Sequence, residues 1–233
     1  MRKVAIIPAR KGSKRVRGKN TRPLFGIPLF ERTVTNLLNS NAFDEIYVST
    51  NDEKVHEISE KYGIRHDFNR EERLCDDYTT TKSVIEDAIF KYKLNEASDL
   101  ACVVYPTSIF FDTETIGLSI QLAIDLKPYE VLQSVVEYSH PIQRSFSINS
   151  DGYLIYNFPE FMNSRTQDIS KSFFDAGQFY WASVKTWIAS LDTWSRIPFL
   201  IQDSDCQDLD SEKDWEITEM KFKLKYGIDL TQN

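Results

Sequence analysis

The chain has 233 residues and a formal net charge of -7, with 41% hydrophobic and 27% charged side chains. That length suits one large domain, or one domain with an insertion, and it is enough to bury a substantial core. The acidic balance, with a pI near 5.1, argues against a general nucleic-acid binder, which needs a basic face, and no apolar run approaches membrane-spanning length. Met1-Arg2-Lys3 followed by Val4 to Ala9 has the outline of a signal peptide, but the run is too short and Arg10 and Lys11 end it, so no targeting segment is expected. The three cysteines, Cys75, Cys102 and Cys206, are odd in number and form no CxxC pair. Reduced thiols in a cytoplasmic protein are expected, with neither a disulfide framework nor a zinc site.

Val4 to Ala9 is a short apolar run suited to a buried strand, and it opens directly into a loop rich in Gly, Ser, Lys and Arg. Pro28 to Ser40 places Leu29, Phe30, Val34, Leu37 and Leu38 at helical spacing. Glu45 to Thr50 reads as a second strand, and Glu53 to Tyr62 as a short helix stopped by Gly63. Ile64 to Phe68 predicts a third strand, Thr81 to Lys93 a helix, and Leu100 to Tyr105 a buried strand. Asp112 to Lys127 is amphipathic, and Glu130 to Val136 returns to strand. This alternation predicts an α/β fold: a Rossmann-like, mostly parallel sheet flanked by helices, with ligands at the carboxyl ends of its strands. Between about Tyr138 and Asp175 the periodicity breaks down, as in a long functional loop or a small inserted subdomain. Phe179 to Val184 and Pro198 to Ile201 are again strand-like, and Asp214 to Lys225 closes the chain as an amphipathic helix. One domain over residues 1–233 is expected, with no internal repeat.

Residues 2–22 hold nine basic side chains and no acidic one. A loop wrapping several phosphates needs backbone N–H donors, close approach at a glycine such as Gly12, and cations to offset the charge. Arg10-Lys-Gly-Ser-Lys-Arg has neither the Walker A spacing nor a GxGxxG fingerprint. A solvated charged turn is the bland alternative; the position after a buried strand and the purely basic character favour phosphate. Lys19-Asn20 extends the loop with a further phosphate cation and an amide suited to a base or ribose edge.

The run from Pro8 to Asn20 resembles the A-R-G-G-S-K-x-x-x-x-K-N motif of the CMP-sugar acid synthetases, the cytidylyltransferases that activate sialic acids and related nine-carbon acids. The match includes Pro8, Ala9, Arg10, Gly12, Ser13, Lys14, Lys19 and Asn20, while Lys11 stands at the usual first glycine. Where that position requires a positive φ, a lysine costs roughly 1 kcal/mol or more; it also offers one more cation. Arg70 to Thr81 looks like the family's R-P-x-x-L-x-D-D-x-T-x-T segment, with Glu71 replacing proline. By analogy Arg70 helps hold the nucleotide, and Thr79 and Thr81 line its site. Asp76-Asp77 reads as a cap at the start of a helix rather than a ligand. Tyr105-Pro-Thr-Ser108 resembles the family's turn near the acceptor, implicating Tyr105 and Thr107. Gln207 to Trp215 resembles the Q-D-I-D-T-x-E-D-W element, in which alternate carboxylates, here Asp208 and Asp210, hold a Mg²⁺. Asp203 and Asp205 form a competing pair, and seven acids between Asp203 and Glu216 also suit a solvated face.

The later motifs point to a branch. Pro141 to Arg144, Ser164 to Asp168 and Asp175-Ala-Gly-Gln-Phe-Tyr-Trp181 are similar to the P-I-Q-R, R-S-Q-D and D-A-G-Q-F-Y-W elements of the branch that takes pseudaminic acid. Gln178, Tyr180 and Trp181 offer an amide and aromatic faces to an acylamino, deoxy sugar. Arg144 and Arg165, with Gln167 beside them, suit the acid's carboxylate. At least one of Phe179, Tyr180 and Trp181 is expected to face the core. The resemblance implies that residues 138–174 form a dimerisation subdomain whose Arg165 acts in cis or in trans. It implies an enzyme with CTP and a nonulosonic acid as substrates, a homodimer, no nucleic acid and no membrane. Arg10, Lys19 and Asp210 are its candidate catalytic residues, and the product would serve bacterial surface glycan or flagellin glycosylation. No histidine is required, and structural roles are expected for His56, His66 and His140. Legionaminic, N-acetylneuraminic and 3-deoxy-octulosonic acids remain alternative acceptors. A non-catalytic nucleotide-binding protein and a basic nucleic-acid-binding arm remain alternative classes.

Overall fold

The computed structural model describes residues 1–12 and 15–228. Strand β1 (Arg2–Ala9) is the apolar run that opens the sequence, and Val4 to Ile7 are fully buried in it. A strand covered on both faces requires such a continuous run. A two-strand hairpin, β2 (Pro23–Leu24) and β3 (Ile27–Pro28), follows the basic loop and leads into helix α1 (Leu29–Asn39). Then come β4 (Glu45–Thr50), α2 (Glu53–Lys61), α3 (Thr81–Lys91), β5 (Asp99–Val104), α4 (Thr113–Ala123) and β6 (Glu130–Glu137). The second half contains the hairpin β7 (Phe146–Ile148) and β8 (Leu154–Tyr156), then β9 (Phe173–Ser183), α5 (Val184–Ile188), β10 (Ser195–Leu200) and α6 (Glu212–Tyr226).

The main sheet has the order β10-β6-β9-β5-β1-β4. The β1–β4, β1–β5 and β10–β6 pairs are parallel, and β9 is antiparallel to both its neighbours. One sheet face packs Phe30, Val34 and Leu37 of α1 and Ile116 of α4 against Ile7, Val104 and Trp181. The other packs Ile85, Ala88 and Ile89 of α3 and Trp187 of α5 against Ile6 and Val103. The expected mostly parallel sheet with helices on both faces is present.

The strand directions gather the chemistry. The carboxyl ends of β1, β4, β5, β6 and β10 share one edge with the amino end of antiparallel β9. The basic loop, Asn51, the Tyr105 turn, residues 138–172, the late acids and Asp175 therefore all meet at that edge.

Three sequence expectations need correction. Ile64 to Phe68 is not a strand: it touches β4 only through isolated bridges at Tyr47–Arg65 and Thr50–Asn69. The stretch from Arg65 to Arg70 meets β4 through three backbone hydrogen bonds, with Val48 N to Arg65 O at 2.8 Å, Arg65 N to Ile46 O at 3.1 Å and Arg70 N to Thr50 O at 2.7 Å. Ile64 is buried and Phe68 packs against the core, but these contacts with β4 are too sparse to form a continuous ladder. The strand predicted at Phe179 begins at Phe173, so the irregular segment ends at Ser172. Asp208 and Asp210 do not sit on an extended strand but in an irregular stretch before α6.

Strand β9 is kinked where it passes β6: Gln133 faces Tyr180, whereas Val135 faces Asp175. The extra residues form a bulge built around the buried Ser134. Its hydroxyl accepts from Gln178 N at 3.3 Å and Phe179 N at 3.2 Å and donates to Phe179 O at 3.2 Å. Ser134→Ala leaves these buried groups without that partner and is expected to cost about 1–3 kcal/mol. A urea titration measures it, and an unchanged midpoint would show that the bulge does not depend on this hydroxyl.

Candidate active site

The basic loop is anchored at both ends. Arg10, at the end of β1, pairs with Asp77 at 2.8 Å and donates to the carbonyls of Asp76 at 2.9 Å and Cys75 at 3.2 Å. Asn20 Nδ2 returns to Arg10 O at 3.1 Å, and Phe30 N donates to Asn20 O at 2.8 Å, tying the loop to α1. Val16 is pinned in an apolar cluster with Leu24, Leu29, Phe110, Leu209 and Trp215. Gly12 has φ +89°, the left-handed conformation that favours glycine. Lys11 does not share it, so the feared steric cost at that position is absent, and its N–H donates to Asn51 Oδ1 at 2.8 Å. Ser13 and Lys14, both expected at the nucleotide, lie outside the described residues.

The late acids come directly to this loop. Arg15 forms an ion pair with Asp210 Oδ2, and Lys19 Nζ donates to Leu209 O at 3.2 Å. Burial pushes Lys19 below the ordinary lysine range, opposed by the attraction of Asp208 and Asp210. Asp210 Oδ1 is buried and has no hydrogen-bond partner, while Asp208 is exposed. Asp214 fixes the segment by accepting from Asp210 N at 3.2 Å and completing a capping box with Ser211 at the start of α6. Arg22 adds a second tether, pairing with Glu212 at 2.7 Å and lying over the Trp215 ring at 4.0 Å.

The competing carboxylates are engaged elsewhere. Asp203 pairs with Lys221 at 3.0 Å and Asp205 with Lys225 at 2.9 Å. Among the described residues no three His, Cys, Asp or Glu side chains converge as a closed metal site. Mg²⁺ does not need one: it is commonly held by one or two carboxylates together with water and substrate phosphate. The orphaned Oδ1 of Asp210 and the exposed Asp208 fit that donor set.

Past the end of β5, the sheet neighbour of β1, lies a polar and aromatic wall. Tyr105 hydroxyl and Thr81 Oγ1 are 3.0 Å apart, and the Tyr105 ring meets Tyr180 edge-on at 5.8 Å between centroids. Tyr180 hydroxyl donates to both Asp175 oxygens, at 2.8 and 2.7 Å, and burial keeps its phenol well above the usual range. Thr107 is half-buried in the turn after β5. Ser108 in that turn donates to Gln178 O at 2.7 Å, and the Gln178 side-chain oxygen is buried without a partner.

Several candidates are placed differently from the sequence expectation. Arg70 is buried, with its guanidinium on Ser49 Oγ at 3.1 Å and on the Ser49 carbonyl, and desolvation pushes it down to about 10. It braces the end of β4 beneath Arg10 rather than facing open space. Asp76 does not cap α3, because Thr80 does; Asp76 instead accepts from Tyr78 N at 3.0 Å and Thr79 N at 2.6 Å. Thr79 hydroxyl is occupied by Asp76 at 2.7 Å. Trp181 faces the core with Phe179, stacked on Phe43 at 5.3 Å and donating to Ser119 Oγ at 3.0 Å, so it offers no face to a ligand. Arg144 donates to the Ser164 carbonyl, whereas Arg165 and Gln167 are exposed on residues 138–172 and are not brought to Arg10 within this chain. The histidines stand apart: His56 and His66 face each other through Nδ1 atoms 3.0 Å apart, and His140 meets Ser139.

Sequence reasoning missed Arg15, Asn51 and Asp175 as site residues. Arg15 belongs to the same basic run, and Asn51 follows a strand at the ligand-binding edge. Asp175 heads the DAGQFYW element, and only the bulge turns it toward Tyr180.

The profile of the cytidylyltransferase family matches residues 4–146. The chain is 32% identical over 231 residues to pseudaminic acid cytidylyltransferase of Campylobacter jejuni, covering 97% of this chain and 98% of that protein. It is 31% identical to CMP-N,N'-diacetyllegionaminic acid synthase of Legionella pneumophila, with 96% and 97% covered. Among solved structures it resembles CMP:2-keto-3-deoxy-manno-octonic acid synthetase complexed with CTP, at a TM-score of 0.69 and 14% identity, covering 97% of this chain and all of that one. Among the described residues no helix is long and apolar enough to cross a membrane.

Proposed function

This chain belongs to the cytidylyltransferase family, and from that premise we propose that it transfers CMP from CTP to the anomeric hydroxyl of pseudaminic acid, releasing pyrophosphate. One observation carries the reading: the basic loop after β1 and the acidic segment before α6 meet, through Arg15–Asp210 and Lys19–Leu209, beside a Tyr105–Tyr180 wall. The cations bind the triphosphate donor, and the wall receives the acceptor. Pseudaminic acid is preferred over its relatives because DAGQFYW, which supplies Tyr180 to that wall, is the element that sets that branch apart.

The chemistry is in-line displacement at the α-phosphorus, in which the protein's task is positioning and charge stabilisation. Arg10, held by Asp77 and two carbonyls, would present its guanidinium to the triphosphate. Lys19 would exchange a backbone carbonyl for phosphate, recovering charge stabilisation that burial denies it. Arg15 would release Asp210 and turn toward phosphate oxygens. Asp208 and Asp210 would hold Mg²⁺, which supplies Lewis-acid neutralisation of phosphate charge when bound. Asn20 Oδ1, buried and unpartnered, would accept a hydrogen bond from the base or ribose.

A homodimer belongs to the same proposal. The β7–β8 hairpin exposes Ile148, Tyr153 and Leu154, which are 73%, 71% and 66% accessible. Apolar residues so grouped suit a partner surface. Arg165 and Gln167 on that segment would then approach the partner's acceptor, with Arg165 acting in trans. Reduced cysteines and CTP as donor are consistent with a cytoplasmic reaction.

The test is pyrophosphate release from CTP and Mg²⁺ with pseudaminic, legionaminic, N-acetylneuraminic and 3-deoxy-octulosonic acids. Pseudaminic acid is expected to give kcat/KM at least about tenfold above the others, since a site built for particular hydrogen-bonding groups penalises acids that misplace them. No turnover of any acid by folded protein would overturn the reading. Faster turnover of another acid would reassign the acceptor.

A further inference from the structure

Asp175 is the one residue of the acceptor wall whose charge the reaction described above leaves unused. Its carboxylate is exposed, yet its geometry is fixed. Tyr180 donates to both oxygens, and Gly177 N–H donates to Oδ1 at 2.9 Å. The bulge makes this possible: Gly177 adopts φ +60°, which curls the strand so that Asp175 meets the side chain five residues ahead. Among the described residues no cationic side chain pairs with Asp175. Tyr180 is in turn braced by Tyr105, and Tyr105 by Thr81 at the start of α3.

A fixed, unpaired carboxylate has two effects on an anionic sugar. Oδ1 is filled by Tyr180 and Gly177, but Oδ2 has a lone pair beyond the Tyr180 contact, so it attracts an N–H or O–H donor. It also repels a second carboxylate nearby. With the hydroxyl proton of Tyr180 committed to Asp175, the phenol offers the acceptor a lone pair rather than a donor. The Asp175–Tyr180 pair is therefore an acceptor-only surface.

We infer that Asp175 is a specificity-determining residue of the acceptor subsite: it takes a hydrogen bond from an acylamino N–H or hydroxyl of the sugar acid and turns that acid's own carboxylate away. The inference rests on the proposed sugar-acid activity. The sugar is thereby oriented with its donors toward Asp175 and its carboxylate end elsewhere, which leaves the anomeric hydroxyl free to face CTP.

Steady-state pyrophosphate release with CTP and pseudaminic acid tests this. Asp175→Asn preserves the size of the side chain and one acceptor for Tyr180 while removing the charge. The KM for the acid should rise about tenfold, as for loss of a charge-assisted hydrogen bond, with the KM for CTP unchanged and the thermal midpoint preserved. Asp175→Glu, which keeps the charge, should recover part of the loss. Asp175→Ser serves as the neutral variant if the asparagine form does not fold. An unchanged KM for the acid in a folded neutral variant overturns the inference, as does a parallel rise of both KM values, which marks a merely structural role. Absence of wild-type turnover with every acid removes the proposed function and this inference together. Wild-type turnover with an insensitive Asp175 removes only this inference.

Discussion

Asp210→Asn is expected to lower pyrophosphate release by about 10³-fold or more, the scale of losing charge stabilisation in a phosphoryl-type transition state, while the protein remains folded. The two readouts separate because Asp210 contributes little to the stability of the unliganded chain. Its ion pair with Arg15 is open to solvent, with side chains 69% and 42% accessible, and such pairs contribute about 0–1 kcal/mol. Its backbone N–H, which anchors the segment to Asp214, is untouched by the substitution. Its other oxygen, Oδ1, is buried without a partner, an arrangement that costs stability unless something is bound there. An amide in that position retains an oxygen but loses the charge that a hard divalent cation requires. The neighbouring carboxylates supply the control. Asp203 is already paired with Lys221 on α6, so Asp203→Asn should leave turnover near wild type. Measuring both variants across a Mg²⁺ titration, alongside thermal midpoints, decides between the two acidic pairs. An active Asp210→Asn or an inactive, folded Asp203→Asn would overturn the assignment.

The legibility of this chain follows its physics. Strand β1 was readable because a strand covered on both faces must be a continuous apolar run, and the helices were readable from side chains recurring on one face. The direction of β9 was not, because period and composition are the same for either direction; yet that antiparallel strand brings Asp175 to the ligand-binding edge. The bulge was equally hidden, since Ser134 looks like any serine in a strand until its hydroxyl is found between two backbone N–H groups. The motif residues of the basic loop and the late acids could be selected separately, but their contact spans 195 positions between Arg15 and Asp210 and is a property of the folded chain. Arg70 and Trp181 show the opposite error. Each matched an element associated with ligand, and the fold uses one to brace β4 and the other to fill the core. A motif specifies that an element is present; alternation along the strand and the bulge decide which of its side chains faces the cleft.

Lys19→Met should expose a conflict between stability and function. Lys19 is a half-buried cation of the basic loop: its ammonium meets the Leu209 carbonyl at 3.2 Å, and desolvation holds it below the ordinary 10.5 despite nearby Asp208 and Asp210. A native-state value lower than the unfolded one means that, between the two, the unfolded chain binds more protons, so stability rises with pH through that window. Below it, the folded protein carries a charge that its surroundings disfavour. Methionine keeps the length and packing of the stem while removing that charge, so the unliganded variant should melt at a higher temperature than wild type near neutral pH. Its kcat/KM for CTP should nevertheless fall by about 10²–10³-fold, the effect of deleting one preorganised partner of a developing anionic transition state. The alkaline limb of the wild-type profile gives an independent reading. Because kcat/KM reports ionisations of the free enzyme, it should decline at a pH below that expected for an ordinary lysine, and the same limb should be missing from the residual activity of Lys19→Met. A variant that is both less stable and fully active would show that the buried ammonium serves the fold and not the phosphates. The expected result, greater stability with lost turnover, is the mark of a cation placed for a ligand that the folded chain alone does not provide.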